Sequence, residues 1–226
     1  MYPYPNDAKL KRRGQKAFYV LAAVAGLISC DKVLGIESAE LDPAVADAGD
    51  AGDAASTASP SCQAYCTAIT ANCTGANNQY GDLKTCLAVC AVIPEGMPDD
   101  IGVNTVQCRL KMAQSAPAEP ESFCTAAGPA GELPGGSNGC GTACDGFCTM
   151  AMAFCTDQET PGVAYPDLAA CYTDCMGLQD LGSFELAPDS GATAGSAVQC
   201  RVYHATAAGQ LAALHCRHAL GAPPCH

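Results

Sequence analysis

The chain has 226 residues, 11 basic against 23 acidic, and a formal net charge of −12. Such a surface repels nucleic-acid phosphate and anionic lipid headgroups, which argues against a nucleic-acid partner and against membrane attachment through a basic patch. Seventeen cysteines, no tryptophan and few other aromatics imply that any folded part is held by cross-links more than by a large aromatic core.

The first element is an export signal. Lys9, Lys11, Arg12, Arg13 and Lys16 precede an apolar run from Ala17 to Ile28. This is a charged region followed by a hydrophobic region, and twelve residues fall short of the roughly 20 needed to span a bilayer as a helix. The run ends Leu27-Ile28-Ser29-Cys30. It resembles the lipobox of bacterial lipoproteins: a branched apolar residue, two tolerant positions, then cysteine. The resemblance implies that residues 1–29 are a signal peptide and that Cys30 carries a diacylglyceryl group as the new N-terminus. It further implies a lipid-anchored protein of the bacterial cell envelope, exposed to an oxidising compartment, either periplasm or cell surface. A plain secretory cut after Ala23-Val24-Ala25 is the rival reading, and it leaves Cys30 as an unpaired thiol. Loss of residues 1–29 removes five of the basic residues and one acid, so the remainder has a formal charge of −16.

Residues 30–60 are rich in Ala, Asp, Gly, Ser and Glu and have no apolar period. They read as an acidic disordered tether with a root-mean-square span of roughly 30 Å.

The sixteen cysteines beyond the tether form two sets of eight. Cys62-x3-Cys66-x6-Cys73 matches Cys144-x3-Cys148-x6-Cys155, Cys86-x3-Cys90 matches Cys171-x3-Cys175, and Cys108-x15-Cys124 matches Cys200-x15-Cys216. Cys140 and Cys225 close the two sets. Neighbouring residues agree as well: Tyr65 pairs with Phe147, Tyr80-Gly81-Asp82-Leu83 with Tyr165-Pro166-Asp167-Leu168, and Val106-Gln107-Cys108-Arg109 with Val198-Gln199-Cys200-Arg201. The chain therefore contains an internal duplication, with one cysteine-rich helical repeat over 61–140 and a second over 141–226.

The spacing predicts helices. At 100° per residue, positions i, i+4 and i+11 lie within about 40° of one another, so the first three cysteines of each repeat share a helical face. The next two share a face of a second helix. A third helix is predicted to start near Asn104 and near Ser196, each with Gln three residues on, which reads as a capping box. Asp82 and Asp167 read as helix caps, and Arg109 and Arg201 as structural donors to a loop carbonyl. The expected fold class is all-α: two tandem disulfide-rich modules of three to four short helices each. Antiparallel C-x3-C helices predict the bridges Cys62–Cys90, Cys66–Cys86, Cys144–Cys175 and Cys148–Cys171. The pairing of Cys73, Cys108, Cys124, Cys140, Cys155, Cys200, Cys216 and Cys225 is left open, with three possibilities per repeat. If each repeat is an independent stapled module, no bridge should run between the sets.

The chemistry-bearing residues are few. All four histidines lie in the second repeat, and His204, His215 and His218 are the candidate ligands for Zn²⁺, Cu²⁺ or haem iron. The first repeat has Met112, Phe123 and Ala126 opposite them. The plainer reading is that these are surface histidines at helix ends, where cations complement the dipole, and that the protein has no cofactor. Covalent haem attachment lacks its Cys-x2-Cys-His run, and no Gly-x-Ser-x-Gly, His-Glu-x-x-His or P-loop motif is present. No catalytic residues are assigned. The expected role is that of a non-catalytic interaction or structural protein with an unidentified protein or envelope partner. A metal- or haem-binding envelope protein is the alternative, and an exported hydrolase the third reading.

Overall fold

The computed structural model describes residues 58–135, 137–186 and 193–226. The expected signal peptide, Cys30 and nearly all of the expected tether lie outside these residues. The described part is helical: α1 (Pro60–Asn72), α2 (Leu83–Cys90), α3 (Val106–Ser115), α4 (Pro120–Ala127), α5 (Ala143–Phe154), α6 (Leu168–Cys175) and α7 (Val198–Ala219). A two-residue antiparallel pair, β1 (Glu132–Leu133) with β2 (Ser137–Asn138), precedes α5. No helix of the described residues is long and apolar enough to cross a membrane.

Local chemistry explains the helix starts. Ser59 caps α1, its hydroxyl accepting from the Cys62 amide at 3.2 Å, and Pro60 occupies the first turn, where its missing N–H costs nothing. The helix thus claims the last residues of the expected tether. Asp82 and Asp167 cap α2 and α6, accepting from the amides of Thr85 at 2.7 Å and Ala170 at 2.8 Å. The capping boxes expected at Asn104 and Ser196 do not form. Thr105 caps α3 instead, while Asn104 turns inward to Arg109 and to α5. Ala197 precedes α7 without a side-chain cap, because Gln199 is drawn to two carboxyl groups. The capping box among these helices that does form is Thr142 with Asp145, at α5.

Eight disulfides staple the fold. Cys62–Cys90, Cys66–Cys86, Cys144–Cys175 and Cys148–Cys171 are the pairs that antiparallel C-x3-C helices predict. The pairings left open are Cys73–Cys124 and Cys108–Cys140, and in the second repeat Cys155–Cys216 and Cys200–Cys225. Both repeats thus have the same connectivity, and every bridge stays inside its repeat.

The helices after the second loop differ in form but share a design. Repeat 1 uses two helices, α3 and α4. Repeat 2 uses the single α7, which is interrupted at Leu211 with φ −140° and ψ 65°. Cys108 and Cys200, and Cys124 and Cys216, align with one offset, and that offset places Leu211 opposite Glu119. Glu119 precedes α4 with φ −152° and ψ 78°. The same backbone break is therefore present in both copies, disguised in one as a continuous helix.

The two repeats are separate in their bridges but share one core, which includes Tyr65, Ile69 and Val89 from the first and Phe147, Met150 and Val202 from the second. Close approach of backbones is part of this junction. At Gly146 in α5, an added Cβ would lie 2.1 Å from the Pro129 carbonyl oxygen, so only glycine fits. Polar bonds cross as well: Asn104 Nδ2 donates to the Asp145 carbonyl and to Thr149 Oγ1, and Gln79 Nε2 donates to the Phe184 carbonyl.

The most consequential crossing bond is a shared amide. Gln199 Nε2 donates to Glu132 Oε1 at 2.9 Å and to Asp180 Oδ1 at 2.7 Å. Glu132 is buried, and its Oε2 has no partner. Burial first, and the Asp180 carboxylate second, push the Glu132 pKa up to about 7. A carboxyl whose folded pKa exceeds its unfolded value stabilises the fold fully below the unfolded value, and that contribution is lost as pH rises from about 4.5 to about 7. Glu132→Gln should therefore match the parent near pH 4 and exceed it by on the order of 2 kcal/mol at pH 8. His204 and His215, held below the usual imidazole range, act with the opposite sign in an overlapping window. The quantity to measure is thus the difference between parent and variant in oxidised thermal unfolding across pH. A pH-independent difference would rule out titration of Glu132 as the source of the effect.

Candidate functional site

Three histidines converge in the second repeat. His204 lies on the first leg of α7, before the break at Leu211, and His215 and His218 lie on the second leg. On a straight helix His204 and His215 would be about 16 Å apart along the axis. The break turns the second leg back, so the ring centroids of His204 and His215 are 5.3 Å apart, and those of His204 and His218 4.7 Å. The Cys155–Cys216 bridge anchors the residue beside His215, and Cys200–Cys225 ties the start of α7 to the C-terminus.

The ring nitrogens face one another. His204 Nδ1 is 3.0 Å from His215 Nδ1, and one ring nitrogen from each of the three histidines lies within 4.8 Å of the others. His204 Nε2 is 3.4 Å from the Thr193 carbonyl, an oxygen that only accepts. That contact makes Nε2 the protonated nitrogen of His204 and leaves its Nδ1 as a lone pair aimed at His215. His218 Nδ1 is buried with no hydrogen-bond partner.

Burial dominates the electrostatics. The His204 pKa is lowered to about 4, chiefly by burial and then by the neighbouring His218 and His215, against an opposing pull from the Thr193 carbonyl. His215 is also lowered, by burial and by His218. Both rings are therefore neutral at neutral pH, which is the ligating form of imidazole. An open groove of about 380 Å³ runs alongside, lined by Asp82 and Thr85 of α2 and by Tyr203, Gln210 and His215 of α7.

This arrangement corrects the plainer reading for His204, while His218 does lie in the last turn of α7 and is partly buried. His204 is only 6% exposed and lies inside α7, not at a helix end on the surface. In the sequence His226 accompanies the others, but it is outside the three-histidine group. A second grouping, Cys200, His204 and Cys225, is close in space, yet its sulfurs are joined to each other and offer no thiolate. The sequence marked the three histidines but missed what positions them, namely the break at Leu211 and the Thr193 carbonyl. A signal was available for the first: Glu119-Pro120 stands opposite Leu211-Ala212, and a proline at that position marks a helix start.

Arg109 and Arg201 occupy equivalent sites as structural donors. Arg109 Nη1 lies 3.5 Å from the Ala127 carbonyl, and Arg201 Nη1 donates to the Ala219 carbonyl at 2.9 Å. No curated protein and no solved structure matches the chain. The model of the BfoA family C-terminal domain matches residues 36–141, a stretch that ends with the first repeat and leaves the histidine-bearing second repeat outside it. The first repeat is thus similar to the BfoA family C-terminal domain.

Proposed function

We propose that the protein is a lipid-anchored component of the bacterial cell envelope, in which a duplicated disulfide-stapled helical body has a non-catalytic interaction or structural role on the oxidising side. One observation carries the reading: sixteen cysteines are consumed in eight bridges of matching connectivity, and Cys30 is the cysteine left over. A lone cysteine directly after an apolar export run is what lipid attachment requires. Many disulfides in one chain fit an oxidising compartment outside the cytoplasm. The loop between α2 and α3 exposes Met97 and Ile101, at 70% and 64%, and apolar side chains held out on a stapled frame suit contact with a protein partner. A hydrolase with a serine or cysteine nucleophile would need that side chain beside an imidazole, whereas the partners of His204 are another imidazole and a backbone carbonyl.

Growth of an expressing bacterium with an alkyne fatty acid tests the anchor. The parent should take up the label and partition with detergent, and Cys30→Ser should do neither. A parent that is exported without label would overturn the lipid anchor, and labelled Cys30→Ser would overturn the assignment to that residue.

A further inference from the structure

We infer that His204, His215 and His218 form a binding site for a single divalent transition-metal ion of the Zn²⁺ or Cu²⁺ class, with the fourth position open to the adjoining groove. This goes beyond the envelope role proposed above, and neither depends on the other.

Four observations carry it. The donors are three imidazoles, the ligand type suited to Zn²⁺ and Cu²⁺. Their spacing approaches that of one ion: at a metal–nitrogen distance of about 2.05 Å, two tetrahedral ligand atoms lie about 3.3 Å apart and no two exceed about 4.1 Å, so binding requires at most a closing-in of under about 1 Å. The Nδ1 atoms of His204 and His215 are 3.0 Å apart, and all three ligand atoms are within 4.8 Å. A haem held between two axial imidazoles needs nitrogens about 4 Å apart with a porphyrin plane between them, and 3.0 Å leaves no room for one. The outer contact is also in place, since the Thr193 carbonyl accepts from the far nitrogen of His204 and so fixes the tautomer with Nδ1 free. Finally, His218 Nδ1 is a buried nitrogen without a partner, on a ring whose centroid is 4.7 Å from that of His204, where an ion would satisfy it.

The comparison between repeats sharpens this. The same three positions in the first repeat hold Met112 and Phe123, which pack against the apolar core, and the buried Ala126. The fold therefore does not need imidazoles there. Substituting three polar rings into a mostly apolar position costs desolvation, which ligation of an ion would offset.

Binding follows as proton exchange. His204 presents its Nδ1 lone pair directly. As its Nδ1 takes the metal, His215, which donates from Nδ1 to His204 without the ion, loses that proton to water and takes one up at Nε2, so the ring stays a neutral imidazole. No bond in the chain breaks and nothing is oxidised or reduced.

The test is titration of the full-length, air-oxidised protein with ZnCl₂ and separately with CuCl₂, followed by calorimetry and, for Cu²⁺, by electron paramagnetic resonance. One ion per chain is expected, with nitrogen hyperfine structure on the copper signal. His204→Met, His215→Phe and His218→Ala each install the residue of the first repeat, so they should preserve the fold, judged by helical circular dichroism and an intact mass showing eight bridges. Each should weaken binding by at least about 100-fold, because even an outer contact typically contributes 10–100-fold. His226→Ala should bind as the parent does. Absence of one-to-one binding by either metal in the parent overturns the site. So does binding that persists in all three folded variants, or that is lost with His226→Ala.

Discussion

Replacing Cys73 and Cys124 together by alanine is expected to lower stability by about 4 kcal/mol, the entropy of an unfolded loop closed over their separation of 51 residues. This is the disulfide that fastens α4 to the end of α1. The pair Cys66–Cys86, separated by 20, would on the same basis contribute about 3 kcal/mol if it stood alone. It does not stand alone, because Cys62–Cys90 encloses it and ties the same two helices. With the outer bridge intact, the inner one closes only the short path from Cys66 through Cys62 and Cys90 to Cys86, about nine residues, and a loss of about 2.5 kcal/mol is expected. The cavity left by two small buried side chains is similar in both cases, so the difference reports on topology. Urea unfolding of the oxidised double variants should therefore place the first below the second. Equal losses would show that the nested arrangement gives no redundancy.

The parts of the fold legible in the sequence were those set by short, repeated spacing. Cys62, Cys66, Cys86 and Cys90, with their counterparts, specify two antiparallel helices, because four residues make one helical turn and bring successive cysteines onto one face. Asp82 and Asp167 were legible as caps for the same local reason. The remaining pairings join residues 25 to 61 positions apart and depend on where the later helices dock, which no local pattern states. The capping boxes failed by competition. Asn104 and Gln199 are good local partners for a helix start, but each has a stronger claim elsewhere, Asn104 on Arg109 and Gln199 on two carboxyl groups. The histidine site was half legible: its residues could be named, but their meeting depends on the break at Leu211, which nothing in the residues around Leu211 signals by itself. Glu132 gave no sign at all, since its burial comes from docking of the second repeat against it.

The contrast between the two arginines gives the second large effect. Arg109 is fully buried, and its guanidinium meets Asn104 Oδ1 at 2.7 Å and the carbonyls of Pro129 at 3.4 Å and Ala127 at 3.5 Å, with no carboxylate in direct contact. Arg201 has the Ala219 carbonyl at 2.9 Å and the half-exposed Asp174 at 3.7 Å. In Arg109→Met the methionine cannot donate, so the Pro129 carbonyl and Asn104 Oδ1 are left facing an apolar chain, at about 1–3 kcal/mol each. The Ala127 carbonyl keeps the Tyr65 hydroxyl at 2.7 Å and is not orphaned. Relief from burying a cation offsets part of the loss. A net cost of about 3 kcal/mol is expected, and Asn104, which also holds α5 through Thr149, should loosen the junction between repeats. Arg201→Met leaves one carbonyl orphaned and lets Asp174 rehydrate, so about 1 kcal/mol is expected. Arg109→Lys keeps the charge but offers a compact ammonium where three acceptors are spread around a planar fork, and should recover less than half of the loss. Thermal unfolding of the oxidised variants reads the order directly. If Arg109→Lys matched the parent, the site would need only a positive charge. If the two methionine variants lost stability equally, the buried fork of Arg109 would have no more structural weight than the contacts of Arg201 with the Ala219 carbonyl and the half-exposed Asp174.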